Sequence, residues 1–163
     1  MENCCNNSVQ FNGEPLALKE IEWLFQAMSA LEKENRLGQI PPFIKNDGEG
    51  YLFEIDFSNT SFYYQTKSKP NIEVLVEIAD RFQAGFSLEY YDLEKSLFGE
   101  AKYEQGILTD IRLDIEDFEH FNYDLEEQAY MFEGLYYDSD VEILEIMLEM
   151  KKEQLNNSYG QRR

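Results

Sequence analysis

The sequence predicts an α+β domain in which two helices pack on one face of an antiparallel sheet. Three observations carry the prediction. Apolar residues recur at helical spacing behind Pro15 and again behind Pro70. Short stretches rich in β-branched and aromatic residues alternate with these helices. Turn signals at Gly13, Ser58-Asn59 and Gln105-Gly106 punctuate the chain.

Residues 7–12 (N-S-V-Q-F-N) alternate polar and apolar side chains and close on Gly13, as a first strand would. Pro15 suits a first helical position, and Leu16, Leu18, Ile21, Leu24, Phe25, Met28 and Leu31 follow at helical steps. The helix should stop between Asn35 and Gly38, before a loop over 39–50 that holds Pro41, Pro42 and the Asn46-Asp47-Gly48 turn signal. A strand over 51–56 places Tyr51, Phe53 and Ile55 on one face and Leu52, Glu54 and Asp56 on the other. A strand over 61–66 follows. Pro70 then opens a second helix with Ile72, Leu75, Val76, Ala79 and Phe82 as its apolar stripe.

A strand over 86–91 and a hairpin pairing 99–103 with 107–113 complete the order β-α-β-β-α-β plus a hairpin. That order is the split βαβ arrangement of a ferredoxin-like sandwich. Asp138, Ser139 and Asp140 mark the start of a last helix, with Val141, Leu144, Met147, Leu148 and Met150 as its apolar face. Residues 1–155 are expected to form a single domain with an acidic extension from about residue 110, and 156–163 a disordered tail.

Three short stretches resemble the YubB-type ferredoxin-like domain family, whose members are carried largely on plasmids, phages and integrated elements. The first is Met1-x-Asn3-x-Cys5-x-Asn7, with Cys4 where the family commonly shows Trp. The second is Thr66-Lys67-x-x-Pro70, and the third runs from Tyr90-Tyr91 through Gly99 to Tyr103. The resemblance covers residues 1–115. It implies the fold and a mobile-element origin, and brings no activity with it.

The composition narrows the function classes. Asp and Glu number 33 against 14 Lys and Arg, a formal net charge of −19, while 12 Phe and 11 Tyr argue against disorder. So acidic a chain is not expected to bind nucleic acid directly or to dock on anionic lipid. No apolar run is long enough to span a bilayer and the only cysteines, Cys4 and Cys5, are adjacent, so a reducing cytoplasm is the expected setting.

No catalytic, cofactor or metal site is legible. A Cys–His pair would need Cys4 or Cys5 beside His120, whose neighbours Glu116, Asp117 and Glu119 favour a charged surface imidazole instead. Asp138, Asp140 and Glu142 alternate like the first ligands of a calcium loop, yet no glycine stands at the sharp-turn position, and a helix start explains them better. Neither G-x-G-x-x-G nor G-x-x-x-x-G-K-[ST] occurs, so no cofactor is expected. Lys67 and Lys69 form the densest basic site, too small for a nucleic-acid patch.

Charge asymmetry is the informative feature. Residues 110–149 hold 14 acids and one base, Arg112. Asp110, Asp114 and Glu116 alternate with apolar residues as on a strand, and Glu142, Glu145, Glu149 and Glu153 make a helical stripe. The expected interaction surface comprises Asp114, Glu116, Asp117, Glu119, Tyr123, Asp124, Glu126, Glu127, Tyr136, Tyr137, Glu142, Glu145 and Glu149, facing a basic protein or peptide. Mimicry of nucleic acid is a special form of this reading. The alternatives are a carboxylate-based or divalent-metal-dependent enzyme, and a small-ligand groove on the sheet lined by Tyr51, Tyr63, Tyr64 and Tyr90.

Overall fold

The computed structural model describes residues 4–45 and 48–161, the last four by backbone alone. Met1 and Asn3 of the N-terminal motif, the Asn46-Asp47 turn signal and the end of the expected tail, Arg162-Arg163, lie outside the described residues. The elements run β1 (Cys4–Asn12), α1 (Pro15–Asn35), β2 (Phe53–Ser58), β3 (Ser61–Lys67), α2 (Ile72–Phe82), β4 (Gly85–Asp92), β5 (Leu97–Glu104), β6 (Ile107–Arg112), β7 (Asn122–Asp124), β8 (Ala129–Phe132), β9 (Leu135–Tyr137) and α3 (Asp140–Gln161). Six strands form one sheet in the order β2-β3-β1-β4-β5-β6, and β7-β8-β9 form a second. The chain divides into two compact units, residues 1–92 with 100–110 and residues 93–99 with 111–163. The physical reason is that residues 93–99 and 111–163 gather an apolar core of their own.

In the first unit β1 pairs antiparallel with β3 and β4, so that Asn7 stands opposite both Tyr64 and Tyr90, and Val9 opposite Phe62 and Leu88. The period-two pattern of β1 buries Cys5, Asn7, Val9 and Phe11. α1 packs against β2 and α2, and α2 against β4. Phe25 of α1 stacks on Phe62 with ring centroids 4.2 Å apart, while Phe11 meets Phe25, Phe62 and Phe86 at 6.0–6.1 Å. Such aromatic pairs add about 0.5–1.5 kcal/mol beyond the area they bury. The α1 stripe is narrower than its sequence suggests: Ile21, Phe25 and Met28 are buried, whereas Leu16 and Leu31 are exposed.

The alternation expected over residues 51–56 fails for a definite reason. Leu52 and Ile55, three residues apart, are both buried, because the register with β3 shifts between Phe53 and Asp56 and Glu54 takes a φ of 51°. The amides of Glu54 and Ile55 donate to the Glu32 carboxylate of α1 at 2.8 and 2.9 Å instead of extending the ladder.

Two of the motifs singled out in the sequence meet behind β1. Asn7 donates through Nδ2 to Thr66 Oγ1 at 3.0 Å and to the Cys5 carbonyl at 3.1 Å. Thr66 donates to the Lys69 carbonyl at 2.7 Å, the Tyr64 hydroxyl donates to Asn71 Oδ1 at 3.0 Å, and Asn71 donates to the Gly50 carbonyl at 3.1 Å. Asn7, Tyr64, Thr66 and Asn71 are all buried. This network closes the hydrogen-bond demands of side chains that would otherwise destabilise the interior. Burial, with Cys5 nearby, pushes the Tyr64 phenol well above its ordinary pKa.

The second unit has a core of Phe98, Leu113, Phe132, Ile143, Leu144, Met147 and Leu148. β7, β8 and β9 pair antiparallel, with Tyr123 opposite Tyr130 and Tyr130 opposite Tyr137. α3 begins where Ser139 Oγ, within the expected Asp138-Ser139-Asp140 helix start, accepts the Val141 amide at 3.2 Å. It continues to Gln161, through the stretch expected to be a disordered tail.

Candidate functional site

The acidic residues expected to form an interaction surface all fall in the second unit. Asp114 and Glu116 are not on a strand: β6 ends at Arg112, and residues 115–119 form a 3-10 turn. The apparent alternation is the opening of a capping box, in which Asp117 Oδ2 accepts the Asp114 amide at 2.6 Å while the Asp114 side chain accepts in return from the amide of Asp117. Lys151 of α3 then reaches this turn. Its ammonium donates to the Arg112 carbonyl at 2.7 Å and lies 3.2 Å from Asp114 and 3.7 Å from Asp117. Lys152 pairs with Glu149 at 2.7 Å. Asp114, Asp117 and Glu149 are thus already partnered within the unit.

Asp124 also has a local task. Half-buried at the end of β7, it accepts the Glu126 amide at 2.9 Å and the Tyr136 hydroxyl at 3.3 Å, which ties the β7–β8 turn to β9. The Asp124 carboxylate, with desolvation second, raises the Tyr136 phenol above its ordinary pKa. Tyr137 is half-buried against the core.

The remaining expected residues divide between two faces. Tyr123, Glu126, Glu127 and Tyr136 are exposed on or beside the three-stranded sheet, with Glu116 and Glu119 exposed on the 3-10 turn. Glu142 and Glu145 are exposed on α3, opposite buried Ile143, Leu144, Met147 and Leu148. Leu125, Met131 and Leu135 are exposed around the same sheet and did not enter the sequence expectation. The Glu133-Gly134 pair, with φ of 48° and 80° between β8 and β9, is the missed signal. It has the same form as Gln105-Gly106, with φ of 51° and 77°, and suits the two-residue turn of a hairpin.

The other candidates resolve differently. Tyr63 and Tyr64 face opposite sides of β3, and Tyr64 and Tyr90 are buried, so the expected four-tyrosine groove does not form. Tyr90 instead donates to Asp110 at 2.5 Å. Cys5 is fully buried in β1, and His120 is exposed at the end of the 3-10 turn. Among the described residues no group of three His, Cys, Asp or Glu side chains is placed to hold a metal ion. No helix among them is long and apolar enough to cross a membrane.

Comparison with known proteins adds the family. No curated protein and no solved structure matches the chain. The antiparallel sheets and three helices are those of a ferredoxin-like α+β protein. The family described as "Ferredoxin-like domain in Api92-like protein" matches residues 49–133, more than half of the chain, and the chain belongs to it.

Proposed function

We propose that the second unit is a non-enzymatic docking surface for a basic protein or peptide. The observation that carries this reading is the setting of Tyr123 and Tyr136. Both are exposed on a small sheet whose flanking turns carry the exposed carboxylates of Glu119, Glu126 and Glu127. Aromatic side chains give contact area at low entropic cost, and the surrounding charge selects a cationic partner and speeds its approach. Lys151 and Lys152 neutralise the acids nearest α3's second half, so the binding face narrows to the sheet, its turns and the Glu142–Glu145 stripe. In the same reading the first six elements are the split βαβ arrangement, the protein is a YubB-type member of mobile genetic elements, and it works in the cytoplasm.

The test is titration with a lysine- and arginine-rich peptide at low and at moderate salt. Binding should weaken about tenfold or more as salt rises, because exposed charges are screened over a Debye length of about 8–10 Å. Tyr136→Ala should weaken it at both salts. No binding at low salt, or binding indifferent to salt, overturns the reading. Nucleic-acid mimicry requires in addition that duplex DNA compete with the protein for a basic DNA-binding partner.

A further inference from the structure

A cleft in the first unit combines features that the acidic surface does not use. It has a cavity volume of about 390 Å³ and lies between the turn after β3, the start of α2 and the loop before β2. That volume sits within the range of about 300–1,000 Å³ typical of small-molecule sites. Tyr51, Phe53, Ile40 and Val74 give it apolar lining, and Lys45, Lys67 and Lys69 line it with ammonium groups.

The turn that carries Lys67 and Lys69 is strained. The Lys69 amide donates to the Lys67 carbonyl at 2.7 Å across a single residue, Ser68, whose φ is 68°. A three-residue turn of this hand is rare, and non-glycine residues seldom adopt a positive φ unless the surroundings impose it. The buried Asn7–Thr66–Lys69 chain of hydrogen bonds holds the turn in place. Lys67 extends over the Phe53 ring, 5.5 Å from its centroid, and among the described residues neither Lys67 nor Lys69 has a carboxylate partner. In a chain of net charge −19 such ammonium groups are scarce.

The opposite wall is equally determined. Asn71 stands at the N-cap of α2, yet its side chain makes no cap bond and binds the Tyr64 hydroxyl and the Gly50 carbonyl instead. Asn71, Glu73 and Val74 at the start of α2 line the cleft, and Asn71 gives this helix start no side-chain acceptor. Gly50 approaches α2 so closely that an added Cβ would lie 2.8 Å from a Val74 methyl, and its φ is 81°. Glu49, Glu73 and Glu77 also line the cleft, which sets a limit on the negative charge it can accept.

We infer that this cleft binds a small monocarboxylate on an apolar, aromatic body, its carboxylate held by Lys67, Lys69 and the first turn of α2, its body against Tyr51 and Phe53. The test is an amide chemical-shift titration of the full chain with benzoate, benzamide and phenyl phosphate. Benzoate should move the amides of Gly50 and of residues 67–73 in a saturable way. Benzamide, with the same shape and no charge, should bind at least about tenfold more weakly, the loss expected when a charge-assisted hydrogen bond is removed. Phenyl phosphate should bind more weakly than benzoate, because the lining glutamates oppose a second negative charge.

Lys67→Gln with Lys69→Gln should weaken benzoate about tenfold or more and leave Trp23 fluorescence and its unfolding midpoint unchanged, since both lysines are exposed. Equal binding of benzamide and benzoate, unchanged benzoate affinity in the double variant, or no saturable shift at residues 67–73 overturns the assignment.

Discussion

The two units handle polarity in opposite ways. Among the described residues every buried polar side chain, Asn7, Ser29, Gln39, Thr66, Asn71 and Asp92, lies in the first unit. The buried core of the second is wholly apolar, with its carboxylates kept outside. Acidity does not separate the units by kind, since the first holds 18 Asp and Glu against 8 Lys and Arg and the second 15 against 6. What differs is where polar groups sit and what they fix. Buried polar networks specify one geometry because each unmet group costs about 1–3 kcal/mol. Exposed carboxylates that make no local bond leave the backbone unconstrained and add to the field around the surface. The first unit fixes its shape partly through buried polar groups, and the second through an apolar core alone.

The sharpest way to break that comparison is to damage each core in turn. The chain's single tryptophan, Trp23, lies on α1 and reports on the first unit. Phe25→Ala removes a ring stacked at 4.2 Å on Phe62 and should cost about 3–5 kcal/mol, seen as a lower denaturant midpoint by Trp23 fluorescence. Leu144→Ala, at a fully buried position of the second core, should cost about 2–5 kcal/mol by the helical circular-dichroism signal. If the units are separate cooperative bodies, Leu144→Ala leaves the Trp23 midpoint in place. A shift of both signals together by the same amount would make them one body in unfolding.

Legibility in the sequence differs from element to element. α1, β3, α2, β4 and the β5–β6 hairpin lie within a few residues of their sequence expectations, because Pro15, Gly13 and Gln105-Gly106 act locally and the apolar periods are regular. β2 was misread because Glu32, 22 residues away in the chain, replaces a ladder partner at Glu54, and no local pattern encodes that. β7, β8 and β9 were missed because three- and four-residue strands are too short for alternation to register. Of the acidic surface, the exposed glutamates were legible from composition. The local tasks of Asp114, Asp117 and Asp124 were not, because capping and turn bonds depend on backbone geometry. The cleft is not legible in the sequence: Lys67 and Lys69 stand close along the chain, but its walls depend on bonds from Asn7 to Thr66, from Thr66 to Lys69 and from Asn71 to Gly50.

A smaller effect sharpens the first unit's side of the comparison. Asn7→Ala leaves Thr66 and the Cys5 carbonyl short of a donor and should cost about 1–3 kcal/mol by Trp23-monitored unfolding. The same change should broaden or shift the amides of residues 67–70, because Thr66 anchors that turn through the Lys69 carbonyl. Stability lost without any change at residues 67–70 would mean that Asn7 supports the sheet and not the turn.

The smallest effect belongs to the second unit. Lys151 joins Asp114 and Asp117 at 3.2 and 3.7 Å, with Asp114 largely in solvent, and also donates to the Arg112 carbonyl at 2.7 Å. Exposed ion pairs contribute about 0–1 kcal/mol, and salt weakens them. Lys151→Met keeps most of the alkyl stem and removes the charge, so it should cost no more than about 1 kcal/mol. In the proposed docking role the sign on binding is opposite. Freeing the two aspartates adds negative field to the surface, so a lysine- and arginine-rich peptide should bind the variant at low salt more tightly than the parent. A loss of several kcal/mol would place Lys151 among the groups that hold a shape, and the division between the two units would fail at that residue.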